Sequence, residues 1–131
     1  MTISGEALEK STEAFFAAIV QGHWSEAMGR IHPSASAVQY VGGQEVNARE
    51  LLQSMQAMVE SLEHFAYENP RRVVGQDAVV EEHVVCMTPK NGKPIRLDVC
   101  IILRFDAEGR IIRIDEYFDS ASVARLQASE S

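Results

Sequence analysis

Several features that would assign a function class are scarce or missing in this sequence. The chain has only two cysteines, Cys86 and Cys100, and neither lies at metal-finger spacing from another cysteine or histidine. The formal net charge is −7, and the sequence contains no run of lysine or arginine. Both features disfavour nucleic acids and anionic membranes as partners. The opening MTISGEALEK has neither a basic start nor an apolar run. We therefore expect no nucleic-acid or membrane partner and a reducing, cytoplasmic setting.

The remaining composition fits one globular domain spanning residues 1–131. With 131 residues and 46% hydrophobic content, the chain is long enough to bury one core and too short for two. Helical periodicity predicts helices over residues 4–21, 24–31 and 48–62, with Ser4 and Asn47 as N-caps and Gly22 as a stop. Alternation predicts strands at 36–41, 65–74, 79–88, 94–106 and 110–118. The expected fold class is α+β, with three N-terminal helices packed in the concavity of a curved antiparallel sheet.

The hairpins predict which side chains share the inner face of this sheet. A two-residue turn at Asn91-Gly92 would place Glu82 opposite Ile101 and Val84 opposite Val99. The resulting face is apolar apart from Glu82. An even-length turn around Gly109 adds Glu116 to the same face, so we expect Glu116 to point inward and the neighbouring Asp115 to point outward.

A polar cluster is then expected inside an otherwise apolar cup. Glu82 and Glu116 would flank Ile101 on two strands, with roughly 10 Å between their backbones. Through the GQDA turn, Arg71 would stand opposite Glu82 and Asn69 opposite Val84, unless Pro70 kinks that strand. An acid in apolar surroundings or beside an arginine has a shifted pKa, which suits proton transfer.

Two segments carry a family resemblance. The ending FDAEGRIIRIDEYFD and the segment GHWSEAMGRIHPSA resemble the SnoaL-like branch of the nuclear transport factor 2-like superfamily. The resemblance covers nearly the whole chain and implies a cone-shaped α+β barrel. It also implies one of several activities, because the superfamily includes ketosteroid isomerases, polyketide cyclases, limonene epoxide hydrolases, dehydratases and proteins without known activity. Glu116 stands where the epoxide hydrolases have an aspartate of an Asp-Arg-Asp set. Their Arg-x-Asp is not reproduced, because this chain has Glu82-His83-Val84 there.

These observations predict a cofactor-independent acid-base site, with Glu116 as principal proton donor or acceptor and Glu82 as the second acid. Glu82, with Arg71 as a second candidate, would set the protonation state of Glu116. Tyr40 or Asn69 would orient a substrate oxygen, with Tyr67 as a further source of a phenol. The expected lining is completed by Trp24, Met55, Met58, Val84 and Ile101. No metal or cofactor is expected. A binding protein without turnover and an interaction module whose cup is simply core are the alternatives.

The opposite face of the sheet is expected to be mixed in polarity and available to a partner. By the same register it carries His83 and Asp98. Apolar residues lie among the charges there: Val85, Met87, Cys100, Ile102 and Tyr117. Such a pattern predicts a homodimer formed through the outer sheet face.

Overall fold

A computed structural model of the chain describes residues 3–119 and residue 121. Three helices and six strands follow one another in the order α1 Gly5–Gln21, α2 Trp24–Gly29, β1 Ile31–Gln39, β2 Val46–Asn47, α3 Ala48–Glu60, β3 Leu62–Val74, β4 Ala78–Pro89, β5 Ile95–Phe105 and β6 Ile111–Phe118. The sequence predicted all of these except the short β2, although β1 begins five residues earlier than expected. None of the described helices has the length and apolar character needed to cross a membrane.

The helix ends follow the predicted capping chemistry. The Ser4 hydroxyl accepts a hydrogen bond from the Ala7 amide at 3.1 Å, and Gly22 ends α1 in the left-handed conformation with φ of 75°. The Asn47 carboxamide oxygen accepts from the amides of Arg49 and Glu50 at 3.0 and 3.2 Å. The predicted start and stop of α1 and the predicted start of α3 are confirmed.

The strands form one curved sheet in the order β2-β1-β6-β5-β4-β3, with the helices packed on its concave side. All neighbouring pairs are antiparallel except β1 and β6, which run parallel. This pairing brings the end of β1 beside β6, with Gln39 opposite Glu116. The core lies between the concave face and α1, where Leu8, Ile31 and Leu103 are fully buried. The predicted α+β class and helix placement are confirmed.

The hairpin between β4 and β5 differs from the prediction by one residue. The Gly92 amide donates to the Pro89 carbonyl at 3.0 Å, and Asn91 adopts a φ of 61°. An odd number of residues therefore separates the paired Met87 and Ile95, whereas a two-residue turn requires an even number. Because side chains alternate with period two, this single residue reverses the faces of β4: Glu81, not Glu82, stands opposite Ile101.

The other two hairpins contain bulges that decide their registers. In β3, Asn69 has a φ of 53° and the register shifts between Glu68 and Arg71, so Glu68 rather than Asn69 lies opposite Val84. Arg71 does stand opposite Glu82, as predicted. Between β5 and β6, a turn with Gly109 at φ 85° is followed by a register shift near Phe105, and Glu116 ends opposite Ile101.

Candidate functional site

A cavity of about 310 Å³ lies between the helices and the concave face of the sheet. Its walls are mainly apolar side chains of α1, α3 and all the long strands. The lining residues are Phe15, Phe16, Ile19, Ile31, Gln39, Ala48, Leu51, Leu52, Ser54, Met55, Met58, Phe65, Tyr67, Val85, Met87, Leu97, Val99, Ile101, Ile114, Glu116 and Phe118. Met58 and Ser54 are the exposed members of this set, which places the mouth beside α3. The volume is at the lower end of the range for small-molecule sites.

Glu116 is the one carboxylic acid among the described residues of this lining. It faces inward because it shares the face of Ile101, and the Gln39 amide nitrogen donates to its carboxylate at 2.8 Å. Burial among apolar groups raises the pKa of Glu116 above its ordinary value, opposed by the Gln39 hydrogen bond and by the nearby His83. The carboxyl group is thus held by a neutral partner, so it can gain or lose a proton without breaking an ion pair.

Tyr67 places a phenol in the same cavity. Its hydroxyl makes no hydrogen bond to any other part of residues 3–119. Burial, followed by the negative charges of Glu116 and Glu81, raises the pKa of Tyr67 well above its ordinary value. The phenol therefore stays protonated at neutral pH and can donate a hydrogen bond to a ligand.

Behind the Tyr67 wall lies a set of polar side chains that includes His83, which the sequence register predicted on the outer face. We call Arg72, Glu81 and His83 the buried polar chain. The Glu81 carboxylate accepts from the Arg72 guanidinium with one oxygen and is bonded to the His83 ring at Nδ1 with the other. The Glu81 and His83 side chains are each 1% exposed. The predicted outer position of His83 is wrong, because the β4–β5 turn has an odd length.

One row of paired residues crosses the concave face of five strands. Arg72 pairs with Glu81, Glu81 with Ile101, Ile101 with Glu116, and Glu116 with Gln39. Two carboxylic acids thus flank Ile101, as expected, but the second is Glu81 rather than Glu82. Within the described part of the chain, no three histidine, cysteine or acidic residues are arranged to hold a metal ion.

Several predicted site residues lie elsewhere. Glu82 and Arg71 form an exposed ion pair at 3.3 Å on the outer face. Asn69, Val84 and Asp98 border an outer groove with them. The prediction that the cavity is lined by Glu82, Arg71, Asn69 and Val84 is therefore wrong. The reasons are the one-residue shift in the β4–β5 register and the bulge at Asn69. By contrast, Met55, Met58 and Ile101 line the cavity, and Trp24 packs against the core outside the lining.

Tyr40 also lies on the outer face, where it helps to cover Asp115. The Tyr40 hydroxyl donates to Asp115 at 2.9 Å, and the Arg113 guanidinium does so at 2.9 Å. Burial opposes ionisation of Asp115, but hydrogen bonds from Arg113 and Tyr40 outweigh it and lower the pKa of Asp115. Asp115 is outward, as predicted, yet only 7% exposed rather than solvated. Tyr40 cannot orient a ligand in the cavity from this position.

Two site residues escaped the sequence argument. Gln39 meets Glu116 only because β1 runs parallel to β6, a long-range pairing that no local pattern indicates. Glu81 could have been found from the alternation Val79, Glu81, His83, Val85, which is as regular as the alternative. The length of the β4–β5 turn decides which of the two alternations faces the cavity.

The sequence pattern that defines the SnoaL-like domain matches residues 12–114. This match spans more than half of the chain and includes most of the cavity lining, but it ends before Glu116 and Phe118. The chain belongs to the SnoaL-like family. No curated protein is similar enough in sequence to stand as a relative.

Several solved structures share the fold of this chain. The chain is similar to a candidate polyketide cyclase of Xanthomonas campestris pv. campestris, with a TM-score of 0.79, 16% identity and coverage of 98% of this chain and 100% of the other. It is also similar to an LEH-like epoxide hydrolase of M. tuberculosis, with a TM-score of 0.77, 17% identity and coverage of 95% of this chain and 92% of the other. For a candidate isomerase from Bacillus subtilis the TM-score is 0.80 and the identity 14%, with coverage of 97% of each chain. At such identities the similarity shows the fold alone.

The raised pKa of Glu116 predicts a pH-dependent effect on stability. In the pH range between the ordinary glutamate pKa, about 4.3, and the higher folded value, the folded state binds more protons than the unfolded state. Stability of the wild type should therefore fall as pH rises through that window, relative to a Glu116→Gln variant, which cannot ionise. Urea unfolding of both proteins from pH 4 to pH 7 measures the difference. A wild-type free energy of unfolding that stays constant or increases with rising pH, relative to that of the variant, would contradict a raised pKa for Glu116.

Proposed function

We propose that this SnoaL-like protein is a small cofactor-independent enzyme that moves protons on a neutral, apolar, oxygen-bearing molecule bound in the cavity. One observation carries the proposal: a single carboxyl group, Glu116, lies at the sheet wall of an apolar cavity with a neutral amide as its partner. Such a group is suited to general acid-base catalysis, because burial brings its pKa toward the working pH.

The polar groups of the cavity fit proton abstraction next to a carbonyl. Glu116 takes a proton from the carbon next to the carbonyl. The electron pair of the broken C–H bond forms the new C=C bond, and the π pair of the C=O bond moves to the carbonyl oxygen. The Tyr67 hydroxyl stabilises that developing oxyanion by donating a hydrogen bond. The protonated Glu116 then delivers this proton to another carbon, which completes an isomerisation. Alternatively, the carboxyl proton first exchanges with solvent and a solvent proton is delivered to the original carbon, which completes an exchange.

The charge of the cavity defines the substrate class. Among the described lining residues there is no lysine, arginine or histidine. An anionic substrate would bring its charge beside Glu116 without a cation to balance it, at a high cost in a poorly solvated site. The substrate is therefore a neutral molecule with a carbonyl, hydroxyl or epoxide oxygen. At about 30 Å³ per water, the cavity holds roughly ten water molecules, which suits a compound of one or two rings.

The similar structures support acid-base chemistry without deciding the reaction. They are described as a cyclase, an epoxide hydrolase and an isomerase. Each of those reaction types needs a proton donor or acceptor in an enclosed site. The presence of Glu116 and Tyr67 in one cavity favours the isomerase type, because one base and one hydrogen-bond donor to the oxyanion suffice for it.

A test reaction uses 2-tetralone, a neutral bicyclic ketone with acidic α C–H bonds. The protein in D2O should accelerate deuterium incorporation at these carbons, observed by NMR, above the rate in buffer and with a matched concentration of an unrelated acidic protein. Saturable binding of 2-tetralone without any acceleration would overturn the enzymatic proposal and leave a binding protein.

We further propose that the protein forms a homodimer through the outer face of the sheet. Val85 and Met87, expected on that face, line the cavity instead. The stacked rings of Tyr40 and Tyr117, each 42% exposed with centroids 4.2 Å apart, lie there beside Cys100 and Ile102. Sedimentation should give twice the 14.5 kDa chain mass, and Tyr117→Glu should halve it. A wild-type monomer at every concentration would refute the dimer.

We propose a cytoplasmic location because neither cysteine forms a disulfide. Cys86 and Cys100 are both free. They lie on adjacent strands but stand opposite Arg96 and Glu82, so they do not form a cross-strand pair. Free thiols in this arrangement fit a reducing compartment.

A further inference from the structure

The buried polar chain is not used by the reaction steps proposed above. The Arg72 side chain is 16% exposed, and those of Glu81 and His83 are 1% exposed each. Charged groups buried in this way seldom stabilise a fold more than apolar residues of the same volume. Its presence directly behind the cavity wall therefore needs another explanation.

His83 contacts two rings of that wall. Its ring lies 4.5 Å from the centroid of Tyr67, tilted by 45°, and 5.1 Å from that of Phe16, nearly perpendicular. Tyr67 is also in edge contact with Phe16 and Phe65 at 5.1 Å. Of these three neighbours, His83 alone is tied in place by a hydrogen bond, through Nδ1 to Glu81.

The orientation of His83 is in turn fixed by Glu81, because both carboxylate oxygens of Glu81 are bonded. One carboxylate oxygen is bonded to Arg72 and the other to His83, so the carboxylate cannot rotate without losing a partner. Glu81 and Arg72 are cross-strand partners on β4 and β3, and Tyr67 also belongs to β3. The buried polar chain thus links the two strands at the Arg72–Glu81 pair, and its His83 member lies on β4 between Glu81 and Val85, the strand partner of Tyr67.

We propose that His83, held by Glu81 and Arg72, is the positioning residue for Tyr67 and keeps its hydroxyl directed at the oxygen of the bound molecule. The inference rests on the proposed function for the identity of that oxygen. The Tyr67 hydroxyl makes no hydrogen bond within the described residues. Only the packing of the Tyr67 ring therefore determines where the hydroxyl points. His83 acts through this packing and does not touch the ligand.

Two probes separate positioning from simple cavity shape. 2-Naphthol has a hydroxyl and resembles the enol of 2-tetralone, whereas naphthalene has the same rings without oxygen. Fluorescence titrations with each probe would be made on the wild type, His83→Phe, Tyr67→Phe and the double variant. Phenylalanine at position 83 keeps an aromatic ring but cannot bond Glu81.

Each single variant should bind 2-naphthol about three- to tenfold more weakly, the usual effect of one lost hydrogen bond. Naphthalene affinity should change less than about twofold. If His83 acts through Tyr67, the double variant should lose no more affinity for 2-naphthol than Tyr67→Phe alone. Losses that multiply in the double variant, or an equal loss for naphthalene, would overturn the positioning role.

Glu81→Gln gives an independent test if His83→Phe fails to fold. Glutamine keeps the shape of the side chain but weakens its bonds to the guanidinium and the imidazole. The matched control is Glu82→Gln, the next residue along the strand, which points to the outer face. Only Glu81→Gln should weaken 2-naphthol selectively, and identical behaviour of the two variants would contradict the proposal.

These binding measurements are independent of turnover. A protein that shows the selective 2-naphthol pattern but does not exchange 2-tetralone would retain the positioning role and lose the proposed reaction. The reverse outcome would retain the reaction and remove His83 from it.

Discussion

Replacing Glu116 by glutamine should lower the rate of deuterium exchange into 2-tetralone about 100-fold or more. Glutamine has the same shape and can still bond the Gln39 amide, but it cannot accept a proton from carbon. Binding of 2-naphthol should change little, because the cavity volume is preserved. NMR exchange rates and fluorescence titrations on the same preparation would separate loss of chemistry from loss of binding.

Glu82→Gln is the matched control for this experiment. Glu82 lies two strands away from Glu116 and on the opposite face, paired with Arg71. Its replacement should leave the exchange rate unchanged. If Glu82→Gln abolishes exchange while Glu116→Gln does not, the register of β4 and the choice of Glu116 are both incorrect.

Replacing Arg72 by methionine should destabilise the protein by about 3–5 kcal/mol, the second large effect that we expect. Methionine retains most of the apolar stem but leaves the Glu81 carboxylate buried with His83 as its only other partner. Breaking a buried pair is costly because the remaining charge has no compensation. Urea unfolding at neutral pH gives the difference in free energy of unfolding.

Arg71→Met provides the comparison from the adjacent position. The Arg71 side chain is 76% exposed and pairs with the exposed Glu82, so its loss should cost less than about 1 kcal/mol. Equal destabilisation by the two variants would contradict the burial of the Arg72–Glu81 pair. A stabilised Arg72→Met protein would show that the buried polar chain is not needed to keep Glu81 inside.

The inward position of Glu116 could be predicted from the sequence, although not for the reason assumed. An even turn at Gly109 was expected, but the observed turn is odd and a bulge near Phe105 restores the parity. At the Asn91 turn no bulge compensates, so Glu82 and Glu81 exchange faces. Two similar glycine-containing turns thus gave one correct and one incorrect register.

The site also depends on contacts that local patterns do not contain. The bulge at Asn69 and the parallel pairing that brings Gln39 to Glu116 are tertiary features. The helices, their caps and the apolar lining by Met55 and Met58 follow directly from periodicity, because a helix face needs only neighbours three or four residues apart. Long-range strand pairing carries no such local signal.

A crystal structure of the protein with 2-naphthol tests the central claim most directly. We expect the ligand rings between α1, α3 and the sheet, with the naphthol oxygen within about 3 Å of the Tyr67 hydroxyl or the Glu116 carboxylate. Naphthol found instead in the outer groove beside Asn69 and Asp98, with the interior filled by side chains, would contradict it.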